Sequence, residues 1–396
     1  MAWTTYQLGL ALMMLITGSI NTLSTKWADT STAVGIDKGD ARVFDHPFLQ
    51  AVGMFLGELS CLLVFHVMRI FHTRRNTLEK MDVGNQNFNP FIFLPAALLD
   101  MLGTSTMYVG LNLTFASSFQ MLRGAVMIFT ALLSVIFLRR RILNHMWLGM
   151  FTVLLGLITV GVSDIVFGND DKSDKNGIIA GDLLIIMAQV ITAAQMVYEE
   201  KFVTRHNVPA LQAVGWEGFF GFFVLGILLI PMYYLKPGHP FSNDPEGRME
   251  NVLDAFIQMK NNYIIIIATV GNIVSIAFFN FSGISVTKQL SATTRMVLDS
   301  CRTLIIWVVS LAVLWQPFLW NSFLVQATGF VFLIVGMFIY NDLVCGPALR
   351  QRGILSPLPE PPMAEQRQGI NTEDEERAPL LKNDGEDGRS QSPLYS

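Results

Sequence analysis

Long apolar runs separated by short polar joints organise the chain up to about residue 345. Ten of the runs are long enough, at roughly 20 residues, to cross the hydrocarbon core of a bilayer as helices. They lie near 6–26, 48–70, 91–111, 116–138, 146–166, 178–198, 210–234, 263–284, 290–314 and 321–344. Segments such as Tyr263–Phe279 and Phe323–Tyr340 are apolar all round, whereas a surface helix of a soluble protein keeps a polar face. From Gly346 onward the pattern stops. Pro357, Pro359, Pro361 and Pro362 precede the acidic stretch Glu373–Glu376, a composition that cannot bury a core and reads as a disordered tail. The first run begins Met-Ala-Trp-Thr-Thr-Tyr and lacks the positive leader of a secretory signal. A retained span is favoured over a cleaved signal peptide.

The chain also repeats itself. Gln50-Ala51-Val52-Gly53 opens span two and Gln212-Ala213-Val214-Gly215 opens span seven. Gly149 and Gly156 lie seven apart in span five, as Gly329 and Gly336 do in span ten. Short apolar words recur by chance in membrane sequences, but these matches share one offset of five spans, as does the polar-to-apolar course of spans four and nine. Five is odd, so the second copy inserts from the opposite face. The expected fold is therefore all-α and polytopic: ten transmembrane helices as two inverted five-helix repeats, 1–168 and 178–345, followed by a cytosolic tail, 346–396. Inverted repeats supply two mirror-related conformations around a mid-membrane site. The four paired glycines are expected to be packing contacts.

Composition agrees. Residues are 52% hydrophobic and 15% charged, against about 25% charged in soluble domains. The net charge of −4 comes with no basic patch interleaved with aromatics, so nucleic acid is not an expected partner. Cys61, Cys301 and Cys345 form no CxxC pair, which leaves neither a disulfide framework nor a zinc site. The six histidines are scattered, and no nucleophile–base pair or phosphate-cradling loop stands out. No enzyme activity, metal or cofactor is expected. Loop charge sets orientation. Arg69, Arg74, Arg75, Lys80, Arg139–Arg141, Lys201, Arg205, Arg350 and Arg352 all fall on one side of ten spans, which should be cytosolic, with both termini. Asp37, Asp40, Asp45, Asp170, Asp171 and Asp174 fall on the other.

Ions inside the membrane are the candidate chemistry. Each costs about 2.5–3.5 kcal/mol at the bilayer centre on insertion scales, so Glu58, Asp100, Arg123, Asp182, Glu217, Arg295, Asp299 and Arg302 should face a bundle interior or a wet cavity. Lys288, Arg295, Asp299 and Arg302 share one narrow helical face at spacings of seven, four and three. Asp299 can neutralise one arginine, leaving another for a phosphate or carboxylate. The competing reading is a charge network that locks helices together through Glu58 or Glu217. Lys288 can equally mark the cytosolic end of a span. Arg123, with Gln120 one turn before it, is either a second cationic contact or the counter-ion of Asp100. Asp182 and Glu217 sit near span starts, where acids also stabilise helix N-termini. Glu199 and Glu200 beside Lys201 read as a solvated interface.

Two processing signals remain. Asn112-Leu113-Thr114 is an N-glycosylation sequon almost against the membrane, while Asn280-Phe281-Ser282 lies inside a span. Glu376-Arg377-Ala378-Pro379-Leu380-Leu381 fits an acidic dileucine motif, anchored by Glu376, Leu380 and Leu381, which sorting adaptors read from the cytosol. It points to lysosomes or late endosomes, with the Golgi or another organelle as the alternative.

Ser117–Leu138, the Arg139–Arg141 turn, the Gly149/Gly156 span, Phe281–Lys288 and Ser291–Arg302 together resemble the drug/metabolite transporter superfamily. More narrowly, residues 1 to about 345 resemble subfamily F of the nucleotide-sugar-transporter-like solute carrier family 35. The resemblance implies a central cavity lined largely by spans four and nine, and a Lys288 near it. In members of known activity a nucleotide sugar is exchanged for a nucleoside monophosphate. The recognition motifs for sugar nucleotides are not intact in this sequence. The expected function is secondary transport of a small organic anion by alternating access, with a nucleotide sugar or nucleotide as the substrate class the resemblance suggests. The expected partners are that solute, membrane lipid, sorting adaptors and a second copy of the chain as a homodimer. The rival readings are a non-transporting membrane scaffold and a carrier of a cationic or neutral metabolite contacted by Glu58, Asp100 and Glu217.

Overall fold

Where the structure describes them, the apolar runs fold as helices, and polar joints supply their stops. The computed structural model describes residues 4–36, 39–75, 84–85, 88–113, 119, 122–139, 142–167, 175–238, 244–290, 292–312 and 320–340. In order these form α1 (Thr5–Thr30), α2 (Pro47–Arg74), α3 (Leu94–Leu113), α4 (Val126–Leu138), α5 (Asn144–Phe167) and α6 (Lys175–His206). Then follow α7 (Ala210–Tyr234), the short α8 (Val252–Asn261), α9 (Tyr263–Gln289), α10 (Ala292–Ala312) and α11 (Trp320–Tyr340). The stops are chemical. Thr4 and Gln7 form a reciprocal capping box at the start of α1. Pro47 occupies the first turn of α2. Arg139 closes α4 in the left-handed region at φ 55°.

Among the described residues, six helices are long and apolar enough to cross a membrane: α1, α2, α3 with its lead-in, α6, α7 and α9. Shorter apolar helices cover Arg123–Leu138, Asn144–Thr159 and Ala327–Tyr340. Outward faces carry Leu12, Leu63, Ile136, Ile227 and Ile230, all exposed, a surface that water would not tolerate at this density. The chain is a polytopic α-helical membrane protein. Gln120, the tail and its Glu376, Leu380 and Leu381 lie outside the described residues.

Packing is set by glycine. A Cβ on Gly156 would sit 2.7 Å from the Gly329 carbonyl, and one on Gly149 2.7 Å from the Gly336 carbonyl. The four glycines are thus packing contacts that let α5 and α11 touch backbone to backbone. Gly215 and Gly218 do the same for α7 against Leu62 and Glu58–Leu59 of α2, and Gly221 makes room for the Phe55 ring. Elsewhere α1 packs along α9, α3 along α6, α4 along α6 and α10 along α1, while α9 meets α2 and α3 meets α7.

A cap packs on the ends of α1, α2 and α9 at one end of the bundle. Strands β1 (Thr32–Ala33) and β2 (Arg42–Val43) pair antiparallel, and α8 lies against them, burying Ala33, Phe44 and Ala255 with Ile265 of α9. Neither the strands nor α8 is anticipated by the span pattern. Two acids fasten the cap. Glu250 accepts the backbone N–H groups of Phe48 and Leu49 at 3.0 and 3.3 Å, so it satisfies the first turn of α2, and it contacts His46 Nδ1 at 2.7 Å. Asp254 accepts the Ile36 N–H at 2.6 Å and pairs with Arg42 at 2.7 Å. Burial pushes the Asp254 carboxyl up, but the Ile36 N–H and the Arg42 guanidinium outweigh it and hold the group below the usual carboxylate range. A carboxyl lowered in the folded state stabilises it fully above the unfolded value, and that stability is lost as pH falls through the folded value. Thermal unfolding of the wild type should therefore drop in temperature as the medium is acidified below the normal carboxylate range. Asp254→Asn should start lower and lose part of that slope; an identical acid profile in both would contradict the assignment.

Candidate functional site

Polar side chains on apolar helices have to find one another or water, and here they meet around a central cavity of about 430 Å³, within the usual range of about 300–1,000 Å³ for ligand sites. Eight helices wall it: α1, α2, α3, α4, α6, α7, α9 and α10. The expectation that spans four and nine form most of the lining is too narrow. Helices carrying an internal ion or amide turn it inward, so the wall recruits α1, α2, α3 and α7 through acids or a lysine and α6 and α9 through Gln189, Gln195 and Asn280. Of the eight intramembrane ions read from the sequence, Glu58, Asp100, Arg123, Glu217, Arg295, Asp299 and Arg302 line the cavity. Asp182, half-buried, is not among the lining residues.

The charges divide into two groups. Nearer the capped end, Arg302 Nη2 lies 2.8 Å from Asp299 and its Nη1 donates to the Gly18 carbonyl at 3.2 Å. Its guanidinium also stacks 4.7 Å from the Phe279 ring centroid. Gly18 is required at that spot, because a Cβ there would come within 2.7 Å of both Arg302 Cδ and the Phe279 ring. Arg123, in a 3₁₀ turn (Arg123–Ala125) that leads into α4, reaches Asp299 from the other wall at 4.0 Å. Arg123 is thus placed against Asp299 rather than paired with Asp100. Two guanidinium groups share one carboxylate, so this pole is net cationic.

The second group lies deeper. Arg295 Nη1 meets Glu199 Oε2 of α6 at 2.5 Å, with both residues buried. Glu58 accepts a hydrogen bond from Asn280 at 2.5 Å, and Asp100 accepts one from Thr104. Glu217 is 7% exposed and its Oε1 has no hydrogen-bond partner. Glu58, Asp100, Glu199 and Glu217 act electrostatically on one another and share Arg295. Gly218 brings Glu58 and Glu217 together by allowing α7 to press on α2. Arg295 to Arg302 is seven residues, roughly 10 Å along α10, so the two poles stand about that far apart. At one end the lining runs to Thr30, the last residue of α1. At the other it includes Glu217, seven residues inside α7 from Ala210, and Arg295, three residues inside α10 from Ala292.

Three sequence readings are corrected. Glu199 and Glu200 are not a solvated interface; they are 1% and 3% exposed, and Glu199 rather than Glu58 or Glu217 is the ion-pair partner of Arg295. Lys288 does not share a helix face with Arg295. It ends α9, and the chain breaks at Leu290 (φ −124°, ψ −84°) before α10 begins. Lys288 is half-buried and is not among the cavity-lining residues. Asn112 lies in the last turn of α3. Sequence reasoning missed Glu199, Asn280, Gly18 and Gly283, the last of which makes room for Arg295 Nε. A signal existed for the first: Gln189, Thr192, Gln195 and Glu199 form a polar stripe at steps of three and four. Near the cap a smaller cavity of about 290 Å³ lies among Arg42, His46, Arg248 and Asp254, and Tyr108 borders both cavities.

The family model SLC35F, described as solute carrier family 35, matches residues 3–235. Solute carrier family 35 member F6 of Homo sapiens is 56% identical over 343 residues, 87% of this chain and 91% of the relative. The protein of the same description in Mus musculus is 55% identical over 343 residues, 87% of this chain and 90% of the relative. An uncharacterized Schizosaccharomyces pombe protein, C12G12.12, is 33% identical over 85% of this chain and 98% of its own. A crystal structure described only as that of a protein shares the fold, with TM-score 0.54 at 13% identity over 88% of this chain and 99% of the other.

Proposed function

We propose that this chain, which belongs to solute carrier family 35, carries a small organic anion across an internal membrane by alternating access. Family membership makes it a solute carrier rather than an enzyme. The observation that carries the finer reading is the cationic pole, where Arg123 and Arg302 approach one Asp299 from opposite walls of the cavity. A phosphate or carboxylate entering there would displace water and meet guanidinium forks suited to it. The nucleotide or nucleotide-sugar class rests on the family resemblance alone.

Alternating access draws support from the helix pairings. Adding five spans to each helix maps α1–α9 onto α6–α3, α10–α1 onto α4–α6, and α9–α2 onto α3–α7, while α2–α7 and α5–α11 map onto themselves. Such a pattern is what two inverted five-helix copies, 1–168 and 178–345, would produce. The cavity lining reaches the end where α1 terminates, and alternating access would make this one of two states. With basic loops and both termini in the cytosol, that end faces the lumen. The tail motif at Glu376, Leu380 and Leu381 supports a lysosomal or late endosomal address.

The acidic pole favours a second reading, a carrier of a cationic or neutral metabolite held by Glu58, Asp100 and Glu217. Proteoliposomes holding the purified full chain distinguish the two. Uptake of labelled nucleotides should be competed by anionic metabolites and left unchanged by amines. Competition by amines alone would establish the second reading, and uptake of no member of a mixed-charge panel would favour a scaffold without transport.

A further inference from the structure

The acidic pole holds more negative charge than its one arginine can balance. Among the described residues, Glu217 of α7 is faced by Glu58 of α2, Asp100 of α3, Glu199 of α6 and Arg295 of α10. Arg295 is already engaged by Glu199 at 2.5 Å. With every carboxylate ionised the group would carry three uncompensated negative charges in a membrane interior, where even one is costly. Carboxylates that share a site cannot all ionise. A metal ion is not the answer, since no set of three His, Cys, Asp or Glu residues among those described is placed to hold one. Independently, Glu217 Oε1 is buried with no hydrogen-bond partner and borders the cavity. A bare carboxylate oxygen in that position is an orphan acceptor; a proton on it makes it a donor toward the chamber.

We propose that Glu58, Asp100 and Glu217 form a proton-binding site, and that movement of the solute is coupled to loading and unloading of that site. The coupling rests on the carrier reading; the proton site does not. The proton comes from hydronium in the chamber and forms an O–H bond on a carboxylate, leaving water behind. It returns to water when the chamber opens to the other face. No other group is consumed. The solute at Arg302 and the proton occupy opposite poles, so both fit at once, and neutralising the acidic pole removes its repulsion of an anion.

The test is infrared spectroscopy of the purified full chain in nanodiscs at neutral pH, without solute. A protonated-carboxyl C=O band that shifts in D₂O is expected in the wild type, with loss of intensity in Glu217→Gln or Glu58→Gln. No such band in the wild type, or a band undiminished in Glu58→Gln, Asp100→Asn and Glu217→Gln alike, overturns the site. Thermal unfolding of each variant checks its folding, and the wild-type band decides even where one variant fails to fold. In proteoliposomes, an imposed pH gradient should change solute uptake several-fold in the wild type and leave Glu217→Gln indifferent. Uptake insensitive to the gradient in both overturns coupling while leaving the site. A wild-type band with no solute taken up would instead sink the carrier reading.

Discussion

Arg302→Ala is expected to cut uptake into proteoliposomes by about 10- to 100-fold, the equivalent of losing one hydrogen-bonded charge contact of about 1.5–3 kcal/mol. The protein should still insert and purify as a folded species. Asp299 loses its 2.8 Å partner in the variant, but it borders the cavity and keeps Arg123 at 4.0 Å, so no charge is left sealed in a dry contact. Arg302→Lys should recover only part of the loss. An ammonium cannot reproduce a planar fork that bonds Gly18 and lies over Phe279 at the same time. Arg123→Ala should be milder, because its side chain is more exposed and its ion pair longer. Uptake unchanged in Arg302→Ala would remove this residue from the site.

Glu199→Ala should be the most damaging single change to stability in the bundle. Arg295 is 4% exposed and lies 2.5 Å from Glu199. Deleting one partner of a buried pair costs up to about 3–5 kcal/mol, and here Glu58, Asp100 and Glu217, which still face Arg295, offset part of it. The expected result is a fall of several degrees in thermal unfolding in detergent, with much of the loss recovered by the double change Glu199→Met with Arg295→Met. Lys201→Ala, two residues away and exposed, should leave unfolding unchanged. A Glu199→Ala protein as stable as the wild type would show that the pair is not closed off from water.

The span pattern was legible because the bilayer leaves few alternatives. A run of apolar residues must satisfy its own backbone, and only a helix does so within one segment. Hence 48–70, 210–234 and 263–284 anticipate α2, α7 and α9 to within a few residues at most ends. The cap was not legible. Its strands are two residues long and α8 is a ten-residue helix, and both owe their place to long-range contacts such as Asp254 with Ile36 and Arg42. The inward ions followed from cost alone, which is why Glu58, Arg123 and Arg302 all line one cavity. Partner choice did not follow, since it depends on which helices meet. Glu199 reads as surface when seen beside Lys201, and only the packing of α6 near α10 reveals it as the partner of Arg295. Lys288 failed for a local reason, the break at Leu290, which one helical period cannot foresee.

Everything functional in this account requires that the buried ions surround a water-filled chamber open at the end where α1 terminates. Cysteine accessibility measures this directly. In a background with Cys61, Cys301 and Cys345 replaced, Thr22→Cys and Thr104→Cys on the cavity wall should react with a membrane-impermeant thiol reagent applied to that face, while the outward Leu12→Cys stays unlabelled. Wall cysteines as inert as Leu12→Cys would mean a dry bundle, and the charges would then be mere structural ties.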